Sequence, residues 1–140
     1  MRHLVLGFLV VLGLCAAASA QQCLEYGPTV TLTGTLRSKV FPGPPNYESI
    51  KRGDRAETAI ILSLATPICT AAGNPADIVD VAETDIRDVQ LVITKPSDWK
   101  LVKRLVGNKP VLVTGTLFHS HTGHHRTKVL LGVSELKSKS

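Results

Sequence analysis

Apolar and polar positions alternate with a period of two along residues 29–41, TVTLTGTLRSKVF, as they do in a half-buried strand. Three prolines and a glycine in FPGPPNY, 41–47, end that pattern and predict a stiff, turn-rich loop. Residues 57–69, ETAIILSLATPIC, predict a second strand that stops at Pro67. The stretch 70–88 opens with turn residues and carries five carboxylates, Asp77, Asp80, Glu83, Asp85 and Asp88. It predicts a solvated connector with at most a short strand at 78–81, and its oxygens lack the spacing of a calcium loop. VQLVIT, 89–94, predicts a third strand.

The period then changes to about 3.6. In PSDWKLVKRLVGNKP, 96–110, Pro96, Ser97 and Asp98 supply helix-start chemistry, while Gly107, Asn108 and Pro110 supply the stop. At about 100° per residue, Trp99, Leu101, Val102, Leu105 and Val106 share one arc, which is expected to lie on a sheet. Lys100, Lys103 and Arg104 occupy the opposite arc. Two more strands follow, over 109–121 and 126–136, joined by a histidine-rich turn.

Three strands, a helix and two strands is the order of the five-stranded OB barrel. The prediction is therefore a mostly β fold, a small five-stranded OB-like barrel with one helix between strands three and four. An open α+β sandwich of the same elements is the rival. TLTGTL (31–36) and LVTGTL (112–117) echo one another, and strands one and four of an OB barrel are neighbours. A glycine inside each, Gly34 and Gly115, would permit the tight coiling a small barrel needs.

The N-terminus changes the picture of where this domain works. Arg2 and His3, an apolar run from Leu4 to Leu14, and Ala18-Ser19-Ala20 form the three regions of a secretory signal peptide, and the run is short for a membrane span. Residues 1–20 are thus expected to be removed, leaving 21–140 as one OB-like domain in the periplasm or outside the cell, without a transmembrane segment. Cys15 leaves with the signal, so Cys23 and Cys69 are expected to form a disulfide, worth about 4 kcal/mol by the chain-entropy model. The net charge of +5 suits solubility and leaves room for a polyanion or lipid headgroups as partner.

The segments GTLRSKVFPGPPNYESIKRGDRAE, LSLATPIC and VTGTLFHSHTGHHRTKVLL resemble an uncharacterised family of bacterial exported domains of unknown function. The GTL, FPGPPNYESI and HTGHHRT motifs carry the likeness, which covers most of residues 21–140. The resemblance implies export and a small β-barrel. It implies no activity, so no residue role is carried over.

FHSHTGHHRTKV, 118–129, gathers every histidine outside the signal: His119, His121, His124 and His125. If strand four runs through 121, then Val111, Val113, Leu117, His119 and His121 share its inward face, matched by Val129, Leu131 and Val133. A three-residue turn, Thr122-Gly123-His124, would set Leu117 opposite Val129 and His121 opposite His125. His119, His121 and His125 would then converge as ligands for Zn²⁺ or Cu²⁺, with His124 outside the set. A plain polar hairpin tip accounts for the same residues.

No serine or cysteine nucleophile motif appears, and His125-Arg126-Thr127 lacks the second His-x-Thr of a two-histidine phosphoesterase. Single-stranded nucleic acid binding wants aromatic platforms on strands two and three, and TAIILSLA and VQLVIT have none. Phe41, Tyr47 and Phe118 offer stacking surfaces near the barrel mouth, with Tyr47, on the proline loop, the best placed for a ligand. The sequence thus predicts a non-enzymatic, exported binding or structural module. Its expected partner is a glycan, a peptide or an anionic surface and not nucleic acid, and its alternative role is metal binding at the histidine hairpin.

Overall fold

In the computed structural model, which describes residues 22–74, 79–107 and 109–139, the first strand changes partner at Gly34. β1 (Thr29–Pro42) pairs antiparallel with β4 (Pro110–His119) from Thr29 to Thr35. From Gly34 to Pro42 it pairs antiparallel with β2 (Ala56–Thr70). Gly34 belongs to both ladders, facing Val111 on one side and Leu64 on the other. A Cβ at Gly34 would overlap the Ser63 carbonyl, and one at Gly115 would overlap the Gly132 carbonyl. Both glycines of the sequence echo therefore stand where backbones approach too closely for a side chain.

β2 continues antiparallel into β3 (Glu83–Val92), and β4 into β5 (Val129–Ser138). A short parallel ladder, Gln90–Leu130 to Val92–Gly132, joins β3 to β5. The ring β1-β2-β3-β5-β4 is closed, which excludes the open sandwich and gives the OB-like order. β3 begins six residues before the expected strand. Ile86 turns inward three residues before Val89, where the β2–β3 register slips, and the carboxylates Glu83, Asp85 and Asp88 belong to this strand rather than to a connector. Val79 to Ala82 form no strand, and Ile78 and the signal segment 1–20 lie outside the described residues.

The barrel is filled by Leu32, Leu36, Ile60, Leu62, Val89, Leu91, Val111, Val113, Leu117, Val129 and Leu131, on strands of period two. Opposite Thr114 and Gly115 the register slips past Ser134, so Val133 and Leu136 both turn inward. The helix α1 (Pro96–Leu105) starts with proline at its first turn and adds Val102 and Leu105 to the core. Only the middle of the expected apolar arc is covered: Leu101 is half-buried, and Trp99 and Val106 at its edge remain open to solvent.

Cys23 and Cys69 form the expected disulfide, with Cα atoms 4.7 Å apart. It fastens the N-terminal segment to the end of β2, where Leu24 N–H donates to the Cys69 carbonyl and Ala71 N–H to that of Leu24. Among the described residues no helix is long and apolar enough to cross a membrane.

Candidate functional site, where two loops meet

The β1–β2 loop is organised by one carboxylate. Asp54 is buried, and its oxygens accept from Asn46 N–H and Nδ2 and from the N–H groups of Glu48 and Ser49. The backbone donors of Ser49 and Asn46 hold its pKa below the ordinary value. The loop contains a cis Pro44-Pro45 bond and carries Tyr47 with φ at 59°, a left-handed conformation rare for a bulky residue. Tyr47 is thereby turned toward the β4–β5 loop.

That second loop differs from the expected hairpin. The β4–β5 ladder ends at His119 opposite Val129, and Leu117 faces Leu131, a shift of two residues that preserves the inward parity. Residues 120–128 leave the ladder because β3 holds them. Gln90 donates through Nε2 to the His124 carbonyl and through its backbone N–H to Thr127 Oγ1, and it accepts from Arg126 N–H at Oε1. Thr127 Oγ1 in turn donates to the Val129 carbonyl. Ser120 N–H still donates to the Lys128 carbonyl and His125 N–H to that of Thr122, so with 124–127 held to β3 the segment forms a wider loop than a three-residue turn.

The two loops meet at a charged and aromatic junction. His124 Nδ1 lies 2.9 Å from Glu57 Oε2, and its Nε2 lies 3.1 Å from the Tyr47 hydroxyl. Arg126 Nη2 donates to the same Glu57 oxygen at 2.8 Å. The guanidinium sits over the rings of Phe41 and Tyr47, 5.3 and 5.6 Å from their centroids. Gly123 packs on the Tyr47 ring, where a Cβ would come within 3.1 Å. The His124 hydrogen bond is the largest influence holding Glu57 below the usual carboxylate range, with Arg126 adding to it.

Of the three histidines expected to share a metal, His121 and His125 lie together with ring centroids 4.6 Å apart, while His119 is turned to Glu83. His119 Nδ1 is taken by the Ser120 carbonyl and Nε2 by Glu83 Oε1, with the Tyr26 ring edge-on at 6.4 Å. His121 Nδ1 is taken by the His119 carbonyl. His125 Nδ1 accepts from His121 N–H, so a neutral His125 carries its proton on Nε2 and offers that nitrogen no lone pair for a metal. Among the described residues no three His, Cys, Asp or Glu side chains are placed to hold a metal ion. The structure thus brings His121 and His125 together and turns His119 to Glu83 instead of gathering all three into one site. The ring of His125 packs against those of His121 and Phe118, and burial there lowers its pKa, with the nearby His121 and His124 as further causes.

Arg126 also borders a cleft of about 420 Å³. One wall is Thr84 to Asp88 of β3, ahead of the point where β5 joins it, and the other is Arg126 to Val129. Arg87 pairs with Asp85, and Lys128 reaches Glu83 at 2.8 Å. Lys128 is the largest cause that lowers the Glu83 pKa, followed among the lowering causes by His119. The sequence singled out Tyr47 and the histidines. It carried no signal for Glu57, Arg126, Gln90 or Glu83, which reach their partners only through the closed sheet.

Residues 88–137, from within β3 almost to the end of β5, match the family model of a domain of unknown function, DUF4431. The matched span takes in the histidine-rich loop and stops short of FPGPPNYESI. No curated protein and no solved structure matches the chain. By its C-terminal part, then, this OB-like barrel is similar to that domain of unknown function.

Proposed function

We infer that the protein is an exported, non-enzymatic OB-like module that binds a glycan in the cleft along β3, beside the junction of its two long loops. The observation that carries this reading is the cleft itself: about 420 Å³, lined by Thr84, Asp85, Arg87, Asp88, Arg126 and Thr127. Such a lining alternates hydrogen-bond donors and acceptors, as a polyhydroxylated chain requires, and OB barrels bind oligosaccharides on this face between these loops. Tyr47 and Phe41 adjoin it through Arg126 and supply apolar ring surface. A peptide is the competing ligand. Export is supported by the Cys23–Cys69 disulfide, since such bonds persist in oxidising compartments. The Glu57–His124–Tyr47 chain is read as a loop fastening, because all three groups are engaged with one another or with Arg126.

Titration of the isotope-labelled protein with neutral and acidic oligosaccharides tests the reading. Amide shifts are expected at residues 84–88 and 123–129, and Tyr47→Ala and Arg87→Ala should each weaken them. Shifts produced by peptides and by no oligosaccharide would sink the glycan assignment. N-terminal sequencing of protein recovered from cell fractions should find the chain starting near Gln21.

A further inference from the structure

A second cleft, of about 290 Å³, opens between α1 and the β1–β2 ribbon, away from the loop junction. Its lining is apolar where the first is polar: Ile60, Val102, Trp99 and Val106, with the hydroxyls of Ser38 and Thr58 and the stem of Lys103. Ile60 and Val102 belong to the core, but the rim stands in solvent. Trp99 is 39% exposed and Val106 38%. Val40, two residues beyond Ser38 on the same face of β1 and opposite Thr58, is 59% exposed. Large apolar side chains grouped this way around a groove mark a contact surface rather than ordinary exposure.

The charges beside the groove choose the partner. Trp99, Lys103 and Val106 follow one another at i, i+4 and i+7 on one side of the helix, with Lys100 and Arg104 next to them. All three cations are exposed, and among the described residues none pairs with a carboxylate. Elsewhere Lys39, Arg52, Arg87, Arg126, Lys128 and Lys137 each have an acidic partner, and what distinguishes the helix is three such free cations within five residues beside an apolar rim. The helix's one carboxylate, Asp98, is half-buried at its first turn.

We propose that this face docks on an anionic lipid bilayer, with Trp99, Val106 and Val40 entering the headgroup region and Lys100, Lys103 and Arg104 held by its negative charge. A tryptophan with an apolar ring and a polar edge suits that boundary. The Trp99 indole N–H is already satisfied by the Ile93 carbonyl at 3.1 Å, so the ring can enter without stranding a donor. Lysine and arginine stems can lie along apolar surface while their charges reach the phosphates. The surface is independent of the glycan cleft, so either assignment can fail alone.

Trp99 is the single tryptophan of the chain, so its emission reports this face alone. The test mixes the exported form with vesicles of phosphatidylcholine, with and without phosphatidylglycerol. Co-sedimentation with the anionic vesicles is expected, together with a blue shift of Trp99 and its quenching by brominated acyl chains. Neutral vesicles should bind little, and added salt should weaken the anionic partition. Lys103→Gln should lower that partition about fivefold, the value of one cation near an anionic surface. Lys137→Gln, on β5 and outside the cleft, should leave it unchanged. Equal binding to both vesicle types, binding without a change in Trp99 emission, or equal losses in the two variants would overturn the proposal. So would no binding to either, which would leave the patch to a protein contact.

Discussion

Arg126 and Glu57, 69 residues apart in the chain, are joined through Nη2 and Oε2 at 2.8 Å across the outside of the barrel. The Arg126 side chain is only 9% exposed and is stacked over two rings, so this contact fixes where the β4–β5 loop lies. Arg126→Ala should cost about 1–2 kcal/mol from the two ring contacts alone. It should also speed hydrogen exchange of the amides from His121 to Thr127. Because Tyr47 shares the contact, the losses in Arg126→Ala and Tyr47→Ala should not add in the double variant. Additive losses with unchanged exchange would mean the loop is held by Gln90 alone.

Acid should destabilise the protein in two stages. Asp54, Glu57 and Glu83 have folded pKa values below their ordinary ones, and so does His125. Each of these groups binds protons more readily when unfolded, so each contributes stability above its unfolded value and loses it as pH falls through the folded one. For His125 that loss begins below the ordinary value of 6.5. For the carboxylates it begins below 3.8 for Asp54 and 4.5 for the glutamates. Urea midpoints should therefore fall gently at first and then steeply, and His125→Gln should remove the first stage. A midpoint that rises as His125 takes up its proton would contradict the assignment.

The strand periods, the helix and the two strand glycines were legible because each depends on neighbours in sequence. Leu32 and Leu36, or Val111 and Val113, show their inward face by spacing alone. The hairpin register was not legible, although its parity was. Parity depends on alternation within β4, whereas the position of the turn depends on Gln90, which lies on a different strand. The partners of the histidines were hidden for the same reason. His119 is claimed by Glu83 and His124 by Glu57, over separations of 36 and 67 residues that no local spacing encodes.

Gly34→Ala should be costly and Gly132→Ala cheap, though both positions lie inside strands. At Gly34 the new methyl would overlap the Ser63 backbone carbonyl, at one of two residues shared by both ladders. Rigid backbone cannot give way as a side-chain tip does, so the cost should reach about 2–3 kcal/mol. At Gly132 the nearest atom is the Thr116 carbonyl oxygen at 3.7 Å, an ordinary contact. Stability there should change by less than about 1 kcal/mol. Denaturant midpoints of the two variants decide it, and similar values would mean that the barrel relaxes around Gly34.

Reduction of Cys23–Cys69 should loosen one corner of the barrel before the rest. The bond closes a separation of 46 residues, for which the chain-entropy model gives about 4 kcal/mol, on the order of 15 °C in Tm for a domain of this size. Its structural reach can be followed residue by residue. Leu24 lies beside Thr70 in a parallel bridge, and Tyr26 places its hydroxyl 2.9 Å from both Thr70 Oγ1 and the Val81 carbonyl. Burial raises the Tyr26 pKa. The stability this contact gives is therefore present below the ordinary value of 10.0 and is lost as pH rises through the higher folded one. With both cysteines replaced by serine, the segment 22–26 is free to leave β2, and the Tyr26 hydroxyl gains access to water. Its absorbance titration should then move down toward 10.0, while amides of the β1–β4 ladder keep their protection until global unfolding. The unreduced protein without residues 1–20, and so without Cys15, should show no free thiol after denaturation. If it shows two, or if the double serine variant unfolds at the same temperature as the oxidised chain, the N-terminal segment is held by Leu24 and Tyr26 without the covalent bond.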